Sequence, residues 1–170
     1  NNLLSKEDLK KHEPKFPLRL AVCEQCWLLQ ITDLVPPVQL FSEYLYFSSF
    51  SDLMLRHAKQ AAERYIREFS LNHTSLVVEI ASNDGYLLQY VKERGIPCLG
   101  VEPTASTAAA ARGKGIDIVE GFFSVQLARE LAAQGRQSDL TAANNVLAHV
   151  PDINDFVKGF VVLLKPGGVA

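Results

Sequence analysis

The sequence lacks an excess of charge of either sign. Among its 170 residues, 17 Lys and Arg stand against 19 Asp and Glu, for a formal net charge of −2. With a pI near 6.1 it has no basic footprint for nucleic acid and no polybasic run for a membrane surface. No apolar stretch reaches the ~18 residues of a membrane span, and no secretory signal opens the chain. Cysteine is scarce: three residues, one closely spaced pair among them, exclude a disulfide framework. Repeats and low-complexity tracts are absent. A cytoplasmic protein is the default expectation, and 48% apolar residues suffice for one sizeable core. An initiating Met is also lacking. The chain opens at Asn1 and stops at Ala170, in an apolar run after Pro166-Gly167-Gly168, so we expect part of a larger protein.

What is present falls into three stretches, 1–45, 46–74 and 75–170. In the first, Phe16 to Val22 alternates as a strand, Cys23-Glu24-Gln25-Cys26 follows, and Trp27 to Ile31 is a second strand-like run. Strand, C-x-x-C knuckle, strand is half of a zinc ribbon, with Cys23 and Cys26 as candidate ligands. A thioredoxin-like pair would instead open a helix. In the second stretch, Leu55, Ala58, Ala62, Tyr65, Ile66 and Phe69 recur at helical spacing behind a possible Ser51 N-cap.

From Ser75 the chain alternates strand and helix. Strands are predicted at 76–80, 98–101, 117–119 and 140–143, and helices at 85–94, 104–112, 124–133 and 152–164, the last capped by Asp152. That alternation predicts an α/β fold with a parallel, Rossmann-like sheet. Ligands of such sheets bind beyond the carboxyl ends of the strands. The first such loop reads Glu79-Ile80-Ala81-Ser82-Asn83-Asp84-Gly85, and Glu102 ends the next strand, 17 residues past Gly85. A carboxylate there can take both hydroxyls of a ribose. The loop lacks the G-x-G-x-x-G of dinucleotide sites, and carboxylates at Glu79 and Asp84 would repel a pyrophosphate. Beside a sulfonium and an α-amino group they are favourable, so the charge pattern prefers S-adenosylmethionine over NAD. Asn83-Asp84-Gly85 is also simply a good turn.

Four segments, Glu79 to Leu88, Gly100-Val101-Glu102-Pro103, Asn144 to Asp152 and Leu163 to Gly168, resemble the C-methyltransferases of nucleotide-linked deoxysugars. The likeness extends upstream through Phe16-Pro17-Leu18, Cys23-x-x-Cys26 and Tyr44 to Ser49. It implies a class I SAM-dependent enzyme with an N-terminal zinc-binding domain and a small-molecule nucleotide-sugar substrate. It places Glu79, Ala81, Ser82, Asn83, Asp84 and Gly85 at the methionine end of the donor, and Glu102 with Pro103 at the ribose. Phe122 and Phe123, after Gly121, would lie by the adenine, and Asn144 and Asn145 would line the methyl pocket. Tyr44 and His149 would face the sugar, with Tyr46 close by. The implied reaction removes the C3 proton of a 4-keto-6-deoxy sugar, and the enolate carbon takes the methyl group. Histidine suits base work near neutral pH, and tyrosine can donate to the oxyanion.

Two departures bear on this. The resemblance implies a zinc held by two C-x-x-C pairs, and only Cys23 and Cys26 are here; Cys98 reads as core. It also implies a main catalytic base beyond the segment matching Leu163 to Gly168, so His149 is expected to support rather than lead, and this segment alone is expected to be inactive. Two alternatives stay open: a non-catalytic zinc-ribbon and Rossmann-like binding module, and an NAD-dependent sugar dehydrogenase or epimerase. His149 and the aromatic residues at 44, 46 and 47 could equally be structural. His12, His57 and His73 read as solvated or structural. Oligomeric state is unreadable.

Overall fold

The computed structural model describes residues 5–13, 15–33, 35–41 and 46–170. Strands β1 (Leu20–Val22) and β2 (Leu29–Ile31) pair antiparallel, Leu20 opposite Ile31 and Val22 opposite Leu29. The cysteine knuckle makes the turn between them. The Cys23 amide donates to Leu28 O at 3.0 Å, and Trp27 takes a left-handed φ of 60° to let the chain return. Every residue of both strands is exposed. Helix α1 (Pro37–Phe41) and a 3-10 turn at Ser48–Phe50 lead to α2 (Asp52–Glu68). Ser51 caps α2 by accepting from the Met54 amide, as expected. The apolar stripe buries Ala58 and Ala62 completely, against α3 (Leu88–Glu93).

Five parallel strands follow: β3 (Val77–Ile80), β4 (Cys98–Glu102), β5 (Asp117–Glu120), β6 (Ser138–Ala142) and β7 (Leu164–Val169). They lie side by side in the order β5-β4-β3-β6-β7. The order reverses at β3, so β3 and β6 flank the switch point. Helices α4 (Ala105–Gly113), α5 (Val125–Ala133) and α6 (Ile153–Leu163) complete the crossovers. Alternation along the strands decides which core each side chain joins. Val77, with α2, α3 and α4, forms one layer; Val78, Ile80, Leu99 and Val101 pack on α5 and α6 on the other. Between Val101 and Leu99, Gly100 faces the first layer, where a Cβ would collide with Ser82 Oγ and Ile118 Cδ1. Only glycine lets the loop after β3 settle that close to β4.

This is the α/β, Rossmann-like fold that the alternation predicts, with three adjustments. The helix expected from Gly85 begins at Leu88, because Gly85 stands at φ +74° and cannot continue a right-handed helix. The strand expected at 140–143 starts earlier, at Ser138, whose hydroxyl is buried against Thr141. And β7 grows directly out of α6, with a bulge where Lys165 to Gly168 bypass the Ser138–Leu140 register. Among the described residues no helix is long and apolar enough to cross a membrane.

Candidate functional site

The β3–α3 loop is locally strained and tightly tied. Ala81 (φ 55°), Asn83 (φ 50°) and Gly85 all adopt left-handed backbone, which for non-glycine residues persists only where surroundings impose it. The Ser82 amide donates to Val101 O at 3.2 Å, and the Asn83 amide to Glu102 Oε2 at 2.8 Å. The Asn83 side chain then accepts from the amides of Asp84 and Ser48, each at 2.9 Å, and donates to Tyr46 O at 3.0 Å.

The two loop carboxylates have different fates. Asp84 turns away from the strand ends: Lys114 Nζ of the α4–β5 turn lies 3.2 Å from its Oδ2, and Ser49 Oγ donates to the same oxygen. Its negative charge is therefore met from within the chain. Among the described residues Glu79 has no cation beside it. It is fully buried, Oε1 accepts from Asn144 Nδ2 at 3.2 Å, and Oε2 has no hydrogen-bond partner. Burial pushes its carboxyl up to about 8, offset by the polar hydrogens of Asn144 and Tyr86 and reinforced by the charges of Glu102 and Asp84. The same burial, with Glu79 beside it, holds the Tyr86 phenol well above its ordinary range.

Glu102, at the end of β4, is 4% exposed and takes the amides of Asn83 and Thr104 on its two oxygens, at 2.8 and 2.9 Å. Each carboxylate oxygen keeps a second lone pair for a ligand hydroxyl.

A cleft of about 1190 Å³ opens over these strand ends. Ala81, Asn83, Glu102, Pro103, Phe122, Phe123, Asn144, Asn145 and His149 all line it. Glu79, Ser82, Asp84 and Gly85 do not: Glu79 lies one layer beneath, behind Asn144 and Tyr86, and Ser82 fills the space opposite Gly100. Phe122 lines the cleft and is 43% exposed, whereas Phe123 is wedged edge-on between Phe156 and Phe160. His149 ends a 3-10 turn and meets the Phe41 ring edge-on at 5.8 Å. Tyr46 also lines the cleft. Tyr44 lies outside the described residues.

Several lining residues escaped the sequence reading. His57 and Tyr65 face the cleft from α2, Tyr86 from the lead-in to α3, and Thr104 from the cap of α4. Their signal was ambiguous: Tyr65 belongs to an amphipathic stripe that periodicity assigns to core, His57 lies beside that stripe and reads as solvated or structural, and only the placement of α2 in the fold brings both to the cleft.

In the knuckle, the backbone amides of Cys26 and Gln25, with the Cys26 side chain, hold the Cys23 thiol below its usual range, an environment that suits a thiolate ligand. Among the described residues no cluster of three or more His, Cys, Asp or Glu could hold a metal. These residues therefore fit half of a closed zinc site and do not complete one.

The description "Methyltransferase domain" matches residues 78–170, more than half of the chain. The chain belongs to the methyltransferase family. A second description, "Putative zinc binding domain", matches residues 1–41 of the methyltransferase. Over 168 residues it is 30% identical to C-methyltransferase NovU of Streptomyces niveus, covering 99% of this chain and 40% of that protein. The chain thus spans less than half the length of this curated relative. Two solved structures share its fold. One is a SAM-dependent methyltransferase from Geobacter sulfurreducens in complex with S-adenosyl-L-homocysteine (TM-score 0.53, 16% identity, 80% of this chain and 54% of that one). The other is the sugar N-methyltransferase KedS8 from Streptoalloteichus sp. ATCC 53650 (TM-score 0.54, 20% identity, 68% and 47%). The fold is that of class I methyltransferases.

Proposed function

We propose that this chain is the donor-binding part of a SAM-dependent C-methyltransferase, acting on a carbon, C3, of a nucleotide-linked 4-keto-6-deoxy sugar through an enolate. The observation that carries the donor is the pairing of acids at the switch point: Glu102 beside the cleft and, beneath it, a buried Glu79 with an unpartnered oxygen and no cation. A buried carboxyl left in that state fits a cationic ligand better than a pyrophosphate, which both acids would repel. S-adenosylmethionine supplies an electrophilic methyl group on a sulfonium when bound.

In this reading Glu102 holds the ribose hydroxyls on its free lone pairs and Phe122 offers its exposed face to the adenine. Ala81, Asn83 and Pro103 shape the wall, while Ser82, Asp84 and Gly85 hold the loop from behind. Asn144 hands the charge of Glu79 toward the methionine end, and Asn145 lines the methyl pocket. His149 and Tyr44 face the acceptor, His149 as a supporting proton carrier near neutral pH. Cys23 and Cys26 contribute two thiolates to a zinc site. The C-methyl acceptor rests on the likeness to NovU across nearly the whole chain.

Calorimetric titration with SAM and with NAD, on the native protein and on Glu102→Ala, tests the donor. The expected result is SAM binding that weakens at least about 100-fold in the variant, as two charge-assisted hydrogen bonds are lost, with no heat from NAD. NAD binding, or no SAM binding by the native protein, overturns it.

A further inference from the structure

Glu102 holds two backbone amides, and the side chains of those same two residues reach the other way. Asn83 donates from Nδ2 to Tyr46 O at 3.0 Å and accepts the Ser48 amide on Oδ1 at 2.9 Å. Thr104 donates from Oγ1 to Phe41 O at 2.7 Å. A threonine at an N-cap ordinarily turns its oxygen onto its own helix; Thr104 caps α4 without any such bond, its hydroxyl committed to α1 instead. Glu102, Asn83 and Thr104 are all buried, 4%, 9% and 1% exposed, where such bonds are stronger than in water. Phe41, Tyr46 and Ser48 are in turn lining residues of the cleft, and the Phe41 ring meets His149. One carboxylate therefore grips both residues from which this wall is hung.

We propose that Asn83 and Thr104 are positioning residues that couple occupancy of Glu102 by the donor ribose to the placement of α1 and of Tyr46–Ser48. This rests on the donor reading of Glu102 given above. Hydroxyls bound on the free lone pairs of Glu102 restrict its carboxylate, which restricts the two amides it holds. The side chains of Asn83 and Thr104 pass that restriction to the wall. By linkage, a wall held in place tightens donor binding by the same factor that the donor holds the wall.

The test uses S-adenosyl-L-homocysteine, which cannot transfer a methyl group, and amide hydrogen exchange over 36–41 and 46–50. It compares the native protein with Asn83→Leu and Thr104→Val. Both variants keep the amides that Glu102 holds, and the near-isosteric Thr104→Val retains a readout should Asn83→Leu fail to fold. In the native protein the ligand is expected to slow exchange of the Ser48 amide and of α1 by about 10-fold, the middle of the usual coupling range. In each foldable variant the slowing should fall below about 2-fold, and affinity should drop by a factor matching the lost protection. Native protein that binds the ligand without slowing, or variants that slow equally, overturn the coupling alone. Native protein that does not bind the ligand overturns the donor reading, and the coupling with it.

Discussion

Asn144 donates to Glu79 across 65 residues of chain, Nδ2 to Oε1 at 3.2 Å. The bond ties the end of β6 to the end of β3 where the strand order reverses, and among the described residues it leaves the other oxygen of this fully buried carboxyl without a hydrogen-bond partner at bonding distance. The site thus carries a carboxyl that the unliganded fold holds at a cost, which a cation above it would relieve.

The pH dependence of stability follows. Glu79 stands at about 8 in the folded chain against an ordinary 4.5, so the folded state keeps its proton longer than the unfolded one. Its contribution to stability is full below about pH 4.5 and is lost progressively as pH rises through 8. Glu79→Gln should raise the melting temperature at pH 8.5 by roughly 5 °C and flatten the slope between pH 5 and 8, read by scanning calorimetry. An unchanged slope would contradict the assignment.

Donor binding should expel the same proton. A sulfonium and an ammonium near Glu79 favour its charged form, so SAM binding at pH 7 should release close to one proton. Affinity should then rise by up to about 10-fold per pH unit below 8 and level off above it. Titrations in phosphate and in Tris should differ in heat for the native protein and agree for Glu79→Gln.

Lys114 supplies the cation that Asp84 needs. Lys114→Met leaves a carboxylate only 2% exposed at its side chain without its ion pair, and should destabilise by about 2 kcal/mol in urea unfolding. Adding Asp84→Asn should return part of that loss; a double variant as unstable as the sum of both singles would show the pair to be uncoupled.

Gly100→Ala tests how closely the loop packs on β4. The new Cβ would meet Ser82 Oγ and Ile118 Cδ1, and both neighbours are buried, so a loss of about 1–3 kcal/mol is expected in denaturant titration. Ser82→Ala should recover little, because Ser82 Cβ and Ile118 still stand in the way.

Much of this was legible in the linear chain. Strand and helix alternation from Ser75 onward is written in apolar periodicity, and caps such as Ser51 and Asp152 are local chemistry, each accepting the amide three residues on. The start of α3 was less so: Gly85 takes a left-handed φ of 74°, and Ile116 and Ala111, distant in the chain, occupy the space where a Cβ would stand. The loop acids look alike in sequence. Their roles diverge through partners far along the chain, Lys114 for Asp84 and Asn144 for Glu79.

By itself, then, the sequence determined the alternation of strands and helices, the loop that follows β3 and the acid that closes β4, because each depends on neighbours a few residues away. Only the tertiary structure decided which acid finds a cation and which is buried without one, that His57 and Tyr65 border the cleft, and that Asn83 and Thr104 bond to Phe41, Tyr46 and Ser48. Those outcomes depend on contacts between residues tens of positions apart, which no local periodicity encodes.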